Sequence, residues 1–331
     1  MQTTIASFGG ARAQVPFLIL ALALLLGIAA SVWSRTSLAN EAEVARPVPV
    51  PNTEEHAMRS KAGQDYRIFV YLPVGQAPAS GWPVVYVLDG NAWFEPLANA
   101  IRLQGRQPQF TGINQAVIVG VAYPGDTPFN AHRRFYDFVP DVPLREEMPP
   151  GVEPPKMGGA MQFLGFLREE LDPWIKRRVK IDDERRTLFG HSLGCSFALH
   201  VLFTQPQAFR DYVCGSPSLG FNGGYVLDSA ERFIAAQDKR QVDAHLLLYV
   251  AEYDEKMPPS LNPAVAEKLA PQLQRARIVS GARELYQKLQ PLEKSGLRTR
   301  FMEIQGENHI SVVPVLINRM LPIVLGSRPK G

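Results

Sequence analysis

Past residue 55, short apolar runs of β type alternate with stretches of helical spacing. Tyr66–Leu72 (YRIFVYL), Pro83–Leu88 (PVVYVL), Ala116–Val121 (AVIVGV), Arg186–Phe189, Tyr212–Gly215, Ala244–Val250 (AHLLLYV) and Arg298–Ile304 read as strands. Several are continuous apolar runs without in–out alternation, the pattern of parallel strands covered on both faces. Between them Met161, Leu164, Leu167, Leu171, Trp174 and Arg178 recur at three- and four-residue spacing, predicting one buried helical stripe. Leu193–Phe203, Tyr225–Gln237, Arg283–Gln290 and Val312–Leu325 are further predicted helices. With one early hairpin over Arg59–Leu72, the alternation predicts an α/β fold with a mostly parallel central sheet and helices on both faces. Pro140–Met157, with six prolines, is predicted as a long irregular loop, and such loops often form a rim or lid over a site.

The N-terminus has a different pattern. Val15 to Trp33 (VPFLILALALLLGIAASVW) is uncharged and lies between Arg12 and Arg35. That length falls between a secretory hydrophobic region and a membrane-spanning helix. Ser37-Leu38-Ala39 offers a cleavage site, so residues 1–40 are expected to act as a signal peptide or an uncleaved anchor. Either outcome implies export, to a periplasm or to the outer face of an inner membrane. Residues 41–54, with Pro47, Pro49 and Pro51, read as a stiff linker, and 55–328 as one folded domain.

Composition adds mainly exclusions. The 331 residues are 46% hydrophobic and 20% charged, which excludes a disordered or polytopic membrane chain. The net charge is +3, and Arg12 and Arg35 supply two of those charges, leaving a near-neutral body that argues against nucleic acid as a partner. Two cysteines, Cys195 and Cys214, are too few for a disulfide scaffold or a tetrahedral zinc site. Both sit in apolar elements and read as buried thiols.

The chemistry enters at Gly190-His191-Ser192-Leu193-Gly194, between a predicted strand and a predicted helix. G-x-S-x-G in that setting makes a sharp, strained turn that lifts the Ser192 hydroxyl above the sheet. The turn also puts the Leu193 amide at a helix N-terminus, where a tetrahedral oxyanion would develop. The flanking glycines are expected because a side chain at either would collide with the turn. Chain order then calls for an acid and a histidine after the serine. Of six histidines, His309, in Gly306-Glu307-Asn308-His309 after the last predicted strand, best fits the base. The acid is sought where Ala244–Val250 ends in Ala251-Glu252-Tyr253-Asp254-Glu255: Asp254 has the expected offset and Glu252 is the alternative.

These residues resemble the putative-esterase family of α/β-hydrolases, and within it the periplasmic esterases that open trilactone siderophores such as enterobactin. The resemblance covers about residues 55–325. It rests on Tyr66-Arg67-Ile68, Leu88-Asp89-Gly90-Asn91, Ala122-Tyr123-Pro124 with Arg133-Arg134…Asp137, the serine turn, Ser216-Pro217-Ser218 and Gly306-Glu307-Asn308-His309. It implies an α/β-hydrolase fold, the Asn91 amide as a second oxyanion donor beside Leu193, and a serine–histidine pair acting with or without an acid. Arg133 and Arg134 would either hold an anionic ferric catecholate or form a surface pair with Asp137 and Asp141. The expected activity is cofactor-free hydrolysis of a small-molecule ester, with a siderophore trilactone as the favoured substrate and no metal site. Within the enzyme class, a feruloyl- or acetyl-type esterase and an acyltransferase stay open, and outside it a binding protein on a hydrolase scaffold.

Overall fold

The computed structural model describes residues 48–145, 151, 153–236 and 241–327. The predicted export segment, residues 1–40, lies outside the described residues, as do linker residues 41–47 and part of the proline-rich loop. Eight strands form one sheet: β1 (Thr53–Arg59), β2 (Asp65–Tyr71), β3 (Trp82–Val87), β4 (Val117–Ala122), β5 (Ile181–His191), β6 (Asp211–Gly215), β7 (Ala244–Ala251) and β8 (Leu297–Ile304). Their spatial order is β1-β2-β4-β3-β5-β6-β7-β8. The first two pairings, β1–β2 and β2–β4, are antiparallel, and every later pairing is parallel.

The continuous apolar runs are buried on both faces, which explains their lack of alternation. Val84, Tyr86 and Leu88 of the β3 segment face one core with Val119, Leu188, Leu246 and Leu248. Their neighbours Val85 and Val87 face a second core with Ile118, Phe189, Val213 and Leu247. Helix α1 (Gly90–Gln104) covers the second core through Trp93, Phe94, Leu97 and Ile101. On the first face lie α2 (Ala131–Phe138) and a continuous α3 built from Ala160–Gly165, a π-helical turn Phe166–Leu171, and Asp172–Lys176. With them are α4 (Leu193–Thr204) and α5 (Tyr225–Ala235). Helix α6 (Pro263–Ala276) buries no residue; α7 (Ile278–Leu289) joins the first core and α8 (Val312–Val324) the second. A fully buried Leu or Phe contributes about 1.5–3 kcal/mol, so these two cores dominate the stability. Among the described residues no helix is long and apolar enough to cross a membrane.

Several elements differ from expectation: β5 begins at Ile181 rather than Arg186, and α7 at Ile278 rather than Arg283. The hairpin begins at Thr53 rather than Arg59, so the last predicted linker residues belong to β1. That strand is polar because it lies at the sheet edge with solvent beside it. In α3 the predicted stripe leaves Met161 exposed, while Phe163 and Phe166 are buried. Met161 lies in the first turn of α3, ahead of the π-helical turn at Phe166–Leu171.

Candidate active site

Five parallel strands, β3, β5, β6, β7 and β8, deliver the candidate residues to one edge of the sheet, the side where open α/β sheets form their crevices. β5 runs directly into Ser192, whose φ of 56° and ψ of −122° are strained for a residue with a side chain. The Ser192 amide donates to the Gly215 carbonyl at 2.8 Å and so ties the turn to β6. At Gly190 a Cβ would lie 2.3 Å from the Gly194 carbonyl oxygen, so only glycine fits. Gly194 departs from the expectation: a Cβ there would meet nothing closer than Asp89 Oδ2 at 3.4 Å, an ordinary contact. Helix α4 starts at Leu193. Its first-turn amides have no intrahelical acceptor and carry the positive end of the helix dipole.

The end of β3 makes a second turn of this kind. Asp89 adopts a left-handed conformation (φ 51°) and α1 begins at Gly90. The Asn91 amide is therefore also in a helical first turn at the carboxyl edge of the sheet. Its side chain fixes that turn, accepting from the Tyr123 amide at 2.7 Å and donating to the carbonyls of Tyr123 (3.1 Å) and Gly125 (3.0 Å).

Asp254 and His309 come from separate strand ends and meet, with His309 Nδ1 2.6 Å from Asp254 Oδ1. The other carboxylate oxygen accepts from Ser216 Oγ at 2.6 Å and from the Ala251 amide at 2.8 Å. Burial alone would raise the pKa of Asp254. The His309 contact, with the Ser216 and Ala251 hydrogen bonds, outweighs it and holds the carboxyl below its ordinary range. Glu252 has a different place: its Oε2 accepts from the Gly306 amide at 2.9 Å and its Oε1 lies 3.5 Å from Lys256 Nζ. It braces the loop that carries His309. Ser192 Oγ lies 3.3 Å from Ser218 Oγ and makes no hydrogen bond to His309 in this conformation. Such contacts often close only around substrate.

A family model described as "Putative esterase" matches residues 59–287. The chain belongs to this esterase family. It is 38% identical over 278 residues to a protein of Bacillus subtilis (strain 168) named "Ferri-bacillibactin esterase BesA", covering 83% of this chain and 90% of that protein. It is 31% identical over 284 residues to a "Siderophore enterobactin esterase" of Emericella nidulans, covering 81% of this chain and 92% of the relative. Among solved structures, the BES protein from Bacillus cereus superposes with a TM-score of 0.74 at 36% identity, over 86% of this chain and 99% of that one.

In this esterase the two candidate substrate arginines both have protein partners. Arg133 donates to Asp137 Oδ2 (3.1 Å) and the Asp65 carbonyl (3.0 Å), and its guanidinium lies over the Tyr66 and Tyr123 rings. Arg134 grips buried Asp89 with two bonds, Nε at 2.7 Å and Nη2 at 3.1 Å, rather than pairing with Asp141. Burial pushes the Asp89 carboxyl up to about 6 even with Arg134 opposing the rise. Of the two readings of these arginines, the pairing with Asp137 is present, Asp89 takes the place expected of Asp141, and both guanidinium groups brace the segments around Asp89 and Tyr123. The two cysteines are buried, with the Cys214 thiol donating to the Cys195 carbonyl.

Several contributors to the esterase site had no role assigned from sequence. Ser216, fully buried with φ 45°, donates to Asp254, and Ser218 faces Ser192. The Ser-Pro-Ser segment directly after β6 was the visible signal for both. His191 is buried with its ring centroid 4.7 Å from that of His309 and 5.6 Å from that of Trp93. Burial, and the proximity of His309, push its pKa down to about 3, so it packs as a neutral ring.

Proposed function

We propose that the esterase hydrolyses the trilactone ester bonds of a catecholate siderophore, bare or iron-loaded. The observation that carries the hydrolytic reading is the strained Ser192 turn at the same sheet edge as the His309–Asp254 pair. The siderophore part is supported by relatives named for esters of that kind, one of them 38% identical over most of both chains.

The chemistry follows from these residues. Ser192 Oγ attacks the ester carbonyl carbon as His309 Nε2 takes the hydroxyl proton, and the carbonyl oxygen becomes an oxyanion. The Leu193 and Asn91 amides stabilise it at two helix N-termini. Collapse breaks the bond to the leaving alkoxide, which receives the proton from His309, leaving an acyl ester on Ser192. Water then repeats the sequence with His309 as base, releasing the acid and restoring the serine. Asp254 fixes the imidazole tautomer and stabilises the imidazolium. Each opened lactone consumes one water, and the protein residues supply every proton transfer.

The test is incubation with ferric and iron-free enterobactin, followed by mass. Products heavier by one water per opened ester support the reading; an unchanged trilactone beside rapid cleavage of simple aryl esters would replace it with a general carboxylesterase. We also propose export, supported by the uncharged run 15–33 between Arg12 and Arg35, and cell fractionation tests it.

A further inference from the structure

A pocket of about 380 Å³ opens beside the nucleophile, and the mechanism above leaves it unused. Ser218, whose hydroxyl is 3.3 Å from Ser192 Oγ, forms its near wall. Phe221 and Ile278 supply apolar surface, and Gln272 and Arg275 enter from the last turns of α6. Phe221 is held against Phe135 at 5.5 Å between ring centroids. Gly220 permits the close approach of α6: a Cβ there would lie 3.3 Å from the Ala276 carbonyl oxygen.

The charge in this pocket differs from that elsewhere around the site. Arg133, Arg134, Arg145 and Arg277 each pair with a carboxylate, at Asp137, Asp89, Asp228 and Glu284 respectively. Arg275 is exposed and, among the described residues, meets no carboxylate within ion-pair distance. A guanidinium with no carboxylate partner among the described residues, an aromatic wall, a side-chain amide and a hydroxyl next to Ser192 suit one kind of occupant. That occupant is an aromatic ring bearing anionic oxygens, joined to the ester being cut.

We infer that this pocket seats one catecholate arm of the substrate, and that Arg275, rather than Arg133 or Arg134, selects for its negative charge. The inference rests on the proposed siderophore reading and deepens it. Arg275 sits on a helix that buries no residue, so changing it leaves the two cores untouched.

The experiment measures binding apart from hydrolysis, on a Ser192→Ala background. Dissociation constants are measured for ferric enterobactin, with net charge −3, and for an uncharged trilactone carrying benzamide arms. Adding Arg275→Glu should weaken ferric enterobactin at least about tenfold while changing the uncharged analogue much less. Lys294→Glu makes the same charge change on the exposed segment just before β8, at the far end of the sheet, and should leave the ratio of the two constants unaltered. Equal affinity for ferric enterobactin in the Arg275→Glu and parent proteins would overturn the inference, and so would an equal loss for both ligands. Because no turnover is involved, selective loss here with no hydrolysis by the Ser192 protein would sink the hydrolytic reading and keep the pocket.

Discussion

Asp254 holds His309 at 2.6 Å through one carboxylate oxygen and is itself held by Ser216 at 2.6 Å through the other. Asp254 is thus fixed from two sides, by the loop that carries His309 and by the ends of β6 and β7 through Ser216 and Ala251. Asp254→Asn should lower kcat by up to about 10⁴-fold with KM nearly unchanged, because the amide selects the wrong imidazole tautomer. Glu252→Gln keeps an acceptor for the Gly306 amide and should cost less than about tenfold. Steady-state kinetics on p-nitrophenyl acetate decide it: a large loss in Glu252→Gln with a small one in Asp254→Asn would reverse the assignment, and small losses in both would indicate a dyad.

The Arg134–Asp89 pair makes a structural prediction. Arg134→Gln leaves a buried carboxyl without its partner, a change that costs about 3–5 kcal/mol when a buried pair is broken. Asp89 has its folded-state pKa raised to about 6. Its favourable contribution is therefore full below the ordinary value of 3.8 and is lost as pH rises through about 6. Without Arg134 that loss deepens, so the stability deficit against wild type should be larger at pH 8 than at pH 5 in urea unfolding. Turnover of neutral and anionic esters should fall by the same factor. A loss confined to the anionic ester would return Arg134 to the substrate.

Two buried histidines contribute to the acid sensitivity of the fold. Burial, with Arg232 nearby, pushes His200 down to about 4, and burial beside His309 pushes His191 down to about 3. Below about 6.5 the unfolded chain binds these protons and the folded chain does not. The stability they contribute is present above 6.5 and is lost as pH falls through the folded-state values. Each adds a slope of at most about 1.4 kcal/mol per pH unit. His200→Gln should flatten the fall in unfolding free energy between pH 6.5 and 4.5 by up to that amount; parallel curves would show that His200 does not titrate differently on folding.

Much of this organisation was legible in the sequence because it depends on local signals. Continuous apolar runs marked the parallel strands, and Gly190 marked a turn that no side chain allows. The elements that escaped have physical reasons. β1 is an edge strand of Glu, His and Arg, and the first half of β5 reads Ile181-Asp182-Asp183-Glu184-Arg185, so neither shows an apolar run. Helix α6 carries Pro263 and Pro271 and buries nothing, so it leaves no core stripe. The choice between Asp254 and Glu252 needed three dimensions: both follow β7, and only the contact with a loop 55 residues on separates them. The arginine pairings were likewise non-local, since Arg134 meets a residue 45 positions earlier.

The central claim is that Ser192 is the nucleophile, and covalent trapping tests it most directly. A fluorophosphonate should add one adduct per folded chain, located by peptide mass on Ser192, and Ser192→Ala should take up none. That variant should keep the wild-type fold and lose activity on the scale of about 10⁶-fold. A folded wild-type protein that takes no label, or takes it equally in Ser192→Ala, would contradict the account.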